Sequence, residues 1–179
     1  MEKQFLIAGF GGQGVLLIGQ LIAKSAMQEG REVSWMPSYG PEMCGGEANC
    51  AVVVSDEPIG SPLVSEPPIL IAMNKPSLVK FMPRMPAGGT LLYNSSLISG
   101  VPLREDIKII AVPCNEIAAK LGNDRVANMV MLGAARKATD VCTEESVRTV
   151  MEDWLGKKKA SLIPVNEQAI REGAAQIVQ

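Results

Sequence analysis

The residues whose types and spacing could do chemistry begin at Gly9-Phe10-Gly11-Gly12-Gln13-Gly14, close to the start of the chain. Glycine leaves the main chain bare, so a ligand can approach its N–H groups closely. Where such a turn opens a helix, the unpaired first-turn amides and the positive end of the helix dipole favour an anionic group such as a phosphate. The chemistry on offer is binding, with Gly11, Gly12, Gln13 and Gly14 as candidate backbone contacts to phosphate. The same turn would also serve close helix–strand packing with no ligand at all. A nicotinamide site should add an Asp or Glu about 20 residues on, at the end of the second strand. The matching segment, Glu32-Val33-Ser34-Trp35-Met36, ends in Pro37-Ser38-Tyr39, and its acid sits at the wrong end. That counts against NAD.

A second stretch, Ser38-Tyr39-Gly40-Pro41-Glu42-Met43-Cys44-Gly45-Gly46, holds three glycines and a proline in nine residues. It cannot be regular structure, and it is longer than a tight connection requires. With parallel strands and a right-handed crossover it leaves the same sheet edge as the first turn. Two glycine loops at one crevice would make a ligand site. Ser38, Tyr39, Glu42, Gly45 and Gly46 are its candidate contact residues. Asn74 and Lys75, after a later strand, are candidates to face the same crevice.

What is missing limits the chemistry further. The 179 residues include no histidine, so Ser–His and Cys–His nucleophile pairs are excluded. No catalytic residue is assigned. Cys44, Cys50, Cys114 and Cys142 form no Cys-x-x-Cys pair, which argues against a metal or cluster held by this chain alone. They read as reduced, mostly buried thiols of a cytoplasmic protein. A net charge of -2 leaves no electrostatic footprint for nucleic acid. Lys157-Lys158-Lys159 reads as a solvated helix end. No signal peptide or membrane span is expected.

The elements that must position these residues follow from hydropathy. Length suits one domain, residues 1–179, with 47% of its residues hydrophobic. Gln4–Ala8 reads as a buried strand, and Val15, Leu16, Ile18, Leu21, Ile22 and Ala26 recur at helical spacing until Gly30. Further strands are expected over 47–55, 69–73, 90–94 and 107–112. Pro76 starts a short helix. Asn115 is expected to cap a helix over 116–121, Asn123 or Asp124 to start a longer one with small residues at Ala127 and 133–135, Thr143 to cap another, and Asn166 to start the last. Scattered methionines read mainly as core filler. The predicted class is α/β: a Rossmann-like open sheet, mostly parallel, with flanking helices.

The paired loops, Gly9–Val15 and Ser38–Gly46, resemble those of the gamma subunit of 2-oxoacid:ferredoxin oxidoreductases. Asp56–Pro62, Asn74-Lys75-Pro76 and Asn128–Ala134 agree with the resemblance, which covers nearly the whole chain. Ala48-Asn49-Cys50 and the acidic-proline turn are most similar to the 2-oxoglutarate branch; pyruvate, branched-chain and indolepyruvate relatives share much of the pattern. The resemblance implies a heteromeric enzyme that oxidatively decarboxylates a 2-oxoacid, forms the acyl-coenzyme A and reduces ferredoxin. It places thiamine diphosphate, Mg and the iron–sulfur clusters in partners: alpha and beta thiamine-binding subunits and a ferredoxin-like subunit. It links coenzyme A to this region, and it implies that the isolated chain is inactive. The family commonly has Arg where this chain has Cys44, and a thiol supplies neither the charge nor the forked donors. Lys75 is the substitute cation offered. A free-standing nucleotide-dependent oxidoreductase and a purely architectural subunit are the alternatives.

Overall fold

A computed structural model describes residues 1–38 and 46–178. Tyr39, Glu42, Cys44 and Gly45 lie outside the described residues. The elements run β1 (Glu2–Phe10), α1 (Val15–Gln28), β2 (Glu32–Ser38), β3 (Glu47–Ser55), β4 (Ile69–Ala72), α2 (Lys75–Phe81), β5 (Thr90–Asn94), β6 (Lys108–Val112), α3 (Cys114–Lys120), α4 (Ala127–Thr139), α5 (Glu144–Leu155) and α6 (Ile163–Ala175). The strands form one sheet in the order β2-β3-β1-β4-β5-β6. β1, β4, β5 and β6 are parallel. β3 runs against both β1 and β2. This is the expected mostly parallel α/β sheet. The antiparallel strand is the feature the sequence did not specify, because valine-rich runs suit either direction.

Side chains alternate across the sheet and build a core on each face. Phe5, Ile7, Val52, Val54, Ile71 and Leu92 face a layer contributed by α1, α3, α4, α5 and α6. Leu6, Ala8, Leu70, Ala72 and Leu91 pack with Leu78 and Phe81 of α2 and with Met82 and Met85 just after it. Six methionines are buried, and so are three described thiols. Burial pushes Cys50, Cys114 and Cys142 up to about 12, so each stays a protonated, unreactive thiol at neutral pH.

Thr143 forms the cap expected of it, and Asn74, a crevice candidate in the sequence, also serves as a cap. Asn74 accepts from the Ser77 N–H at 2.9 Å, and Thr143 from that of Ser146 at 3.1 Å. Two asparagines do other work. Asn115 lies inside α3, whose first amides at 115 and 116 both donate to the Ser96 hydroxyl at 3.1 Å. A cap supplied by a distant loop is invisible to a local pattern. α6 starts three residues early, at Ile163, because Pro164 sits in its first turn. Asn166 then bonds back to the Leu162 carbonyl at 2.8 Å. Gly133 and Gly173 have a tighter role: a Cβ on either would overlap a backbone carbonyl, of Ile170 and Val130 respectively. α4 and α6 are thus packed backbone to backbone.

Candidate functional site

The C-terminal ends of the parallel strands form one rim, and the glycine turn sits on it between β1 and α1. Gly12 and Gly14 hold φ angles of 94° and 75°, open only to glycine at low cost. Gly14 is the residue before α1 and supplies no side-chain cap, so the helix's first amides have no side-chain cap among the described residues. Two of the four candidate amides are spent internally. The Gly11 N–H donates to the Gly46 carbonyl at 2.8 Å and that of Gln13 to the Phe10 carbonyl at 3.1 Å. Those of Gly12 and Gly14 have no partner among the described residues, and Gly12 is exposed.

The Gln13 side chain is a latch. Its Oε1 accepts from the Phe10 N–H at 2.7 Å, and its Nε2 donates to the Met73 carbonyl at 3.1 Å. It therefore ties the turn to the end of β4. Gln13→Ala leaves that amide and that carbonyl without side-chain partners and is expected to cost about 1–3 kcal/mol. Faster amide exchange at Phe10, measured by NMR, would locate the loss.

The ends of the second loop are on the same rim. β2 finishes with Ser38 opposite Asn49, and β3 begins with Glu47 opposite Phe10. The bond between Gly11 and Gly46 joins the loop's far end to the glycine turn. Ser38 is exposed and lines a groove on the other sheet face, with Met36, Leu63, Lys80 and Phe81. Lys75 opens α2, and its ammonium donates to the Ser99 and Gly100 carbonyls in the loop after β5. Its charge therefore lies toward that loop.

A cleft of about 150 Å³ adjoins the turn, lined by Gly12, Gln13, Met73, Asn115, Asp124, Arg125, Ala127 and Asn128. Asn128 is only 7% exposed, and its Oδ1 has no hydrogen-bond partner among the described residues. Its amide end packs against Gly14. Arg125 and Asn128 were not singled out from the sequence as site residues. The available signal was a lone polar residue within the apolar run Ala127–Ala135. Among the described residues, no cluster of three or more His, Cys, Asp or Glu could hold a metal ion, and no helix is long and apolar enough to cross a membrane.

The family model for pyruvate ferredoxin/flavodoxin oxidoreductases matches residues 4–176. The chain belongs to that family. It is 42% identical over 177 residues to ketoisovalerate oxidoreductase subunit VorA of Methanothermobacter thermautotrophicus, covering 97% of this chain and 36% of the relative. The chain thus spans about a third of the length of the VorA relatives. It is 35% identical over 184 residues to 2-oxoglutarate synthase subunit KorC of Methanothermobacter marburgensis, covering 97% of this chain and 99% of KorC. The fold recurs in the 2-oxoglutarate:ferredoxin oxidoreductase of Magnetococcus marinus, solved with 2-oxoglutarate, coenzyme A and succinyl-CoA bound. There the TM-score is 0.88 at 24% identity, over 98% of this chain and 31% of that one. Solved gamma subunits of the family share it too. The resemblance to gamma subunits of 2-oxoacid:ferredoxin oxidoreductases therefore holds.

Proposed function

We propose that this chain is the gamma subunit of a heteromeric, thiamine-dependent 2-oxoacid:ferredoxin oxidoreductase, and that its glycine turn holds the phosphate end of coenzyme A. The observation that supports the reading is the pair of amides, Gly12 and Gly14, that have no partner among the described residues and sit at a helix start beside a cleft. Those donors suit a phosphate oxygen. The remaining candidate contacts, Ser38, Tyr39, Glu42, Gly45, Gly46 and Lys75, would meet the rest of the ligand or the catalytic subunits. In this reading the chain breaks no bonds itself. Thiamine diphosphate, Mg and the iron–sulfur clusters, held by partner subunits in the cytoplasm, supply the carbon and electron chemistry.

The proposed substrate is 2-oxoglutarate, following the likeness to KorC over nearly the full length of both chains. Ketoisovalerate is a second reading, favoured by the 42% identity to VorA. Co-expression with thiamine-binding and ferredoxin-like partner chains should yield a complex that reduces ferredoxin. That activity should depend on coenzyme A and on one of the two 2-oxoacids, with the isolated chain inactive. Calorimetry should detect coenzyme A binding to the complex. No heat with coenzyme A would leave the architectural role, and saturable NAD binding by the isolated chain would revive the free-standing oxidoreductase.

A further inference from the structure

The two faces of the sheet are covered unequally. α1 and α3 to α6 lie on one face, whereas α2 and the short turn after it, Met82–Arg84, pack on the other. α2 lies over β1 and β4, so among the described residues no helix covers β2 and β3 on that side. Sheets of this class ordinarily carry helices on both faces. Register sets Met36, Ala51 and Leu6 in one row across β2, β3 and β1. The row floors a groove of about 410 Å³, walled by Leu63 and Val64 on one side and by Phe81 and Arg84 on the other. Met36 is 39% exposed and Leu63 67%, so two large apolar side chains stand in water here. The Arg84 guanidinium lies 5.3 Å from the centroid of the Phe81 ring, which holds it in place, and it forms no ion pair among the described residues. Lys80 flanks the same ring and pairs with Glu47 at 2.9 Å.

We propose that this groove seats an amphipathic helix of a partner subunit, laid beside α2 over β2 and β3. Its apolar stripe rests on Met36, Ala51 and Leu63, and an Asp or Glu at its edge pairs with Arg84. Burying the two exposed apolar side chains supplies the attraction, and the ion pair fixes the register of the helix. Ala51 is small and sits mid-floor, which lets the helix approach the strands closely. A second copy of this chain fits poorly, because a two-fold pair sets the same patch on both subunits and the basic wall would meet itself. The same domain makes up about a third of the VorA relatives and nearly all of KorC. A domain that occurs both fused and as its own chain has to hold its neighbours by surface contact, and the half-covered sheet is where this one has apolar surface to give. The inference rests on the gamma-subunit reading, from which it takes the thiamine-binding chains as partner. The groove lies on the sheet face opposite α1 and α4, so it is separate from the cleft beside the glycine turn.

The test is calorimetric titration of the full chain with purified thiamine-binding chains. Leu63→Asp and Arg84→Glu are each expected to raise the Kd for assembly roughly ten- to hundredfold, the range of an interface anchor. Arg84→Lys should cost far less, and in that variant a zero-length carbodiimide crosslinker should join position 84 to an Asp or Glu in a helix of the partner. Arg148→Glu, in α5 on the other layer, is the control and should bind with the parental Kd. Leu63, Arg84 and Arg148 are not buried, so the variants are expected to fold; melting curves check this. A parental Kd in both groove variants, or a larger loss from Arg148→Glu, overturns the groove and leaves the gamma-subunit reading standing. So does a dimer of the parental chain in sedimentation that Leu63→Asp abolishes. If the parental chain binds no thiamine-binding chain at all, the gamma-subunit reading has failed and the groove loses its partner with it.

Discussion

Gly133→Ala is expected to lower the stability of this chain by about 3 kcal/mol, at the upper end of what overpacking a filled core costs. For a protein of this size that is a fall of about 6–12 °C in melting midpoint, readable by circular dichroism. Helix propensity argues the other way, since alanine in a helix interior is favoured over glycine by about 1 kcal/mol. Sterics decide the sign. The added methyl would overlap the carbonyl of Ile170, which is backbone and cannot swing aside, and Gly173 meets the Val130 carbonyl in the same manner. Either change forces α4 and α6 apart. The double variant should therefore cost less than the sum of the two, because the first separation makes room for the second methyl. A raised midpoint in Gly133→Ala would mean that the helices are not in backbone contact.

Gly14→Ala is the second large effect, expected at about 2–5 kcal/mol. A left-handed backbone costs a non-glycine residue roughly 1–2 kcal/mol. The methyl would also collide with the Asn128 carboxamide, a buried group with little room to retreat, which adds roughly 1–3 kcal/mol. Gly12→Ala is the internal comparison. Its φ is also positive, at 94°, but the space around it is open. It should bear the backbone cost alone, and the difference between the two variants measures the contact with Asn128. Equal losses would remove that contact from the account of the site.

Much of the frame was legible because it is local. A buried run, three glycines and a 3.6-residue apolar stripe specify β1, its turn and α1 without reference to anything else. Asn74 and Thr143 cap helices that begin one residue later. Features supplied across the chain were not legible. Ser96 caps α3 from the loop after β5, displacing Asn115 from that role. The small residues of α4 announced close packing, but only the fold shows that α6 is the neighbour. At the site, the glycine turn was readable, whereas Arg125 and Asn128 reach it from more than a hundred residues away. Nothing near them in sequence marks an approach to Gly12 and Gly14. The amides of Gly11 and Gln13 illustrate the same limit: which donors stay free depends on where Gly46 and Phe10 place their carbonyls.

The side chain of Gln13 has a consequence for association. It fastens the loop after β1 to the end of β4, Gly11 fastens it to the start of β3, and Lys75 grips the segment beyond β5. Three neighbouring stretches of rim are stitched into one preorganised platform before any partner arrives. Little conformational entropy remains to be lost along that edge when a larger assembly closes over it, and so more of the contact energy is left to appear as affinity.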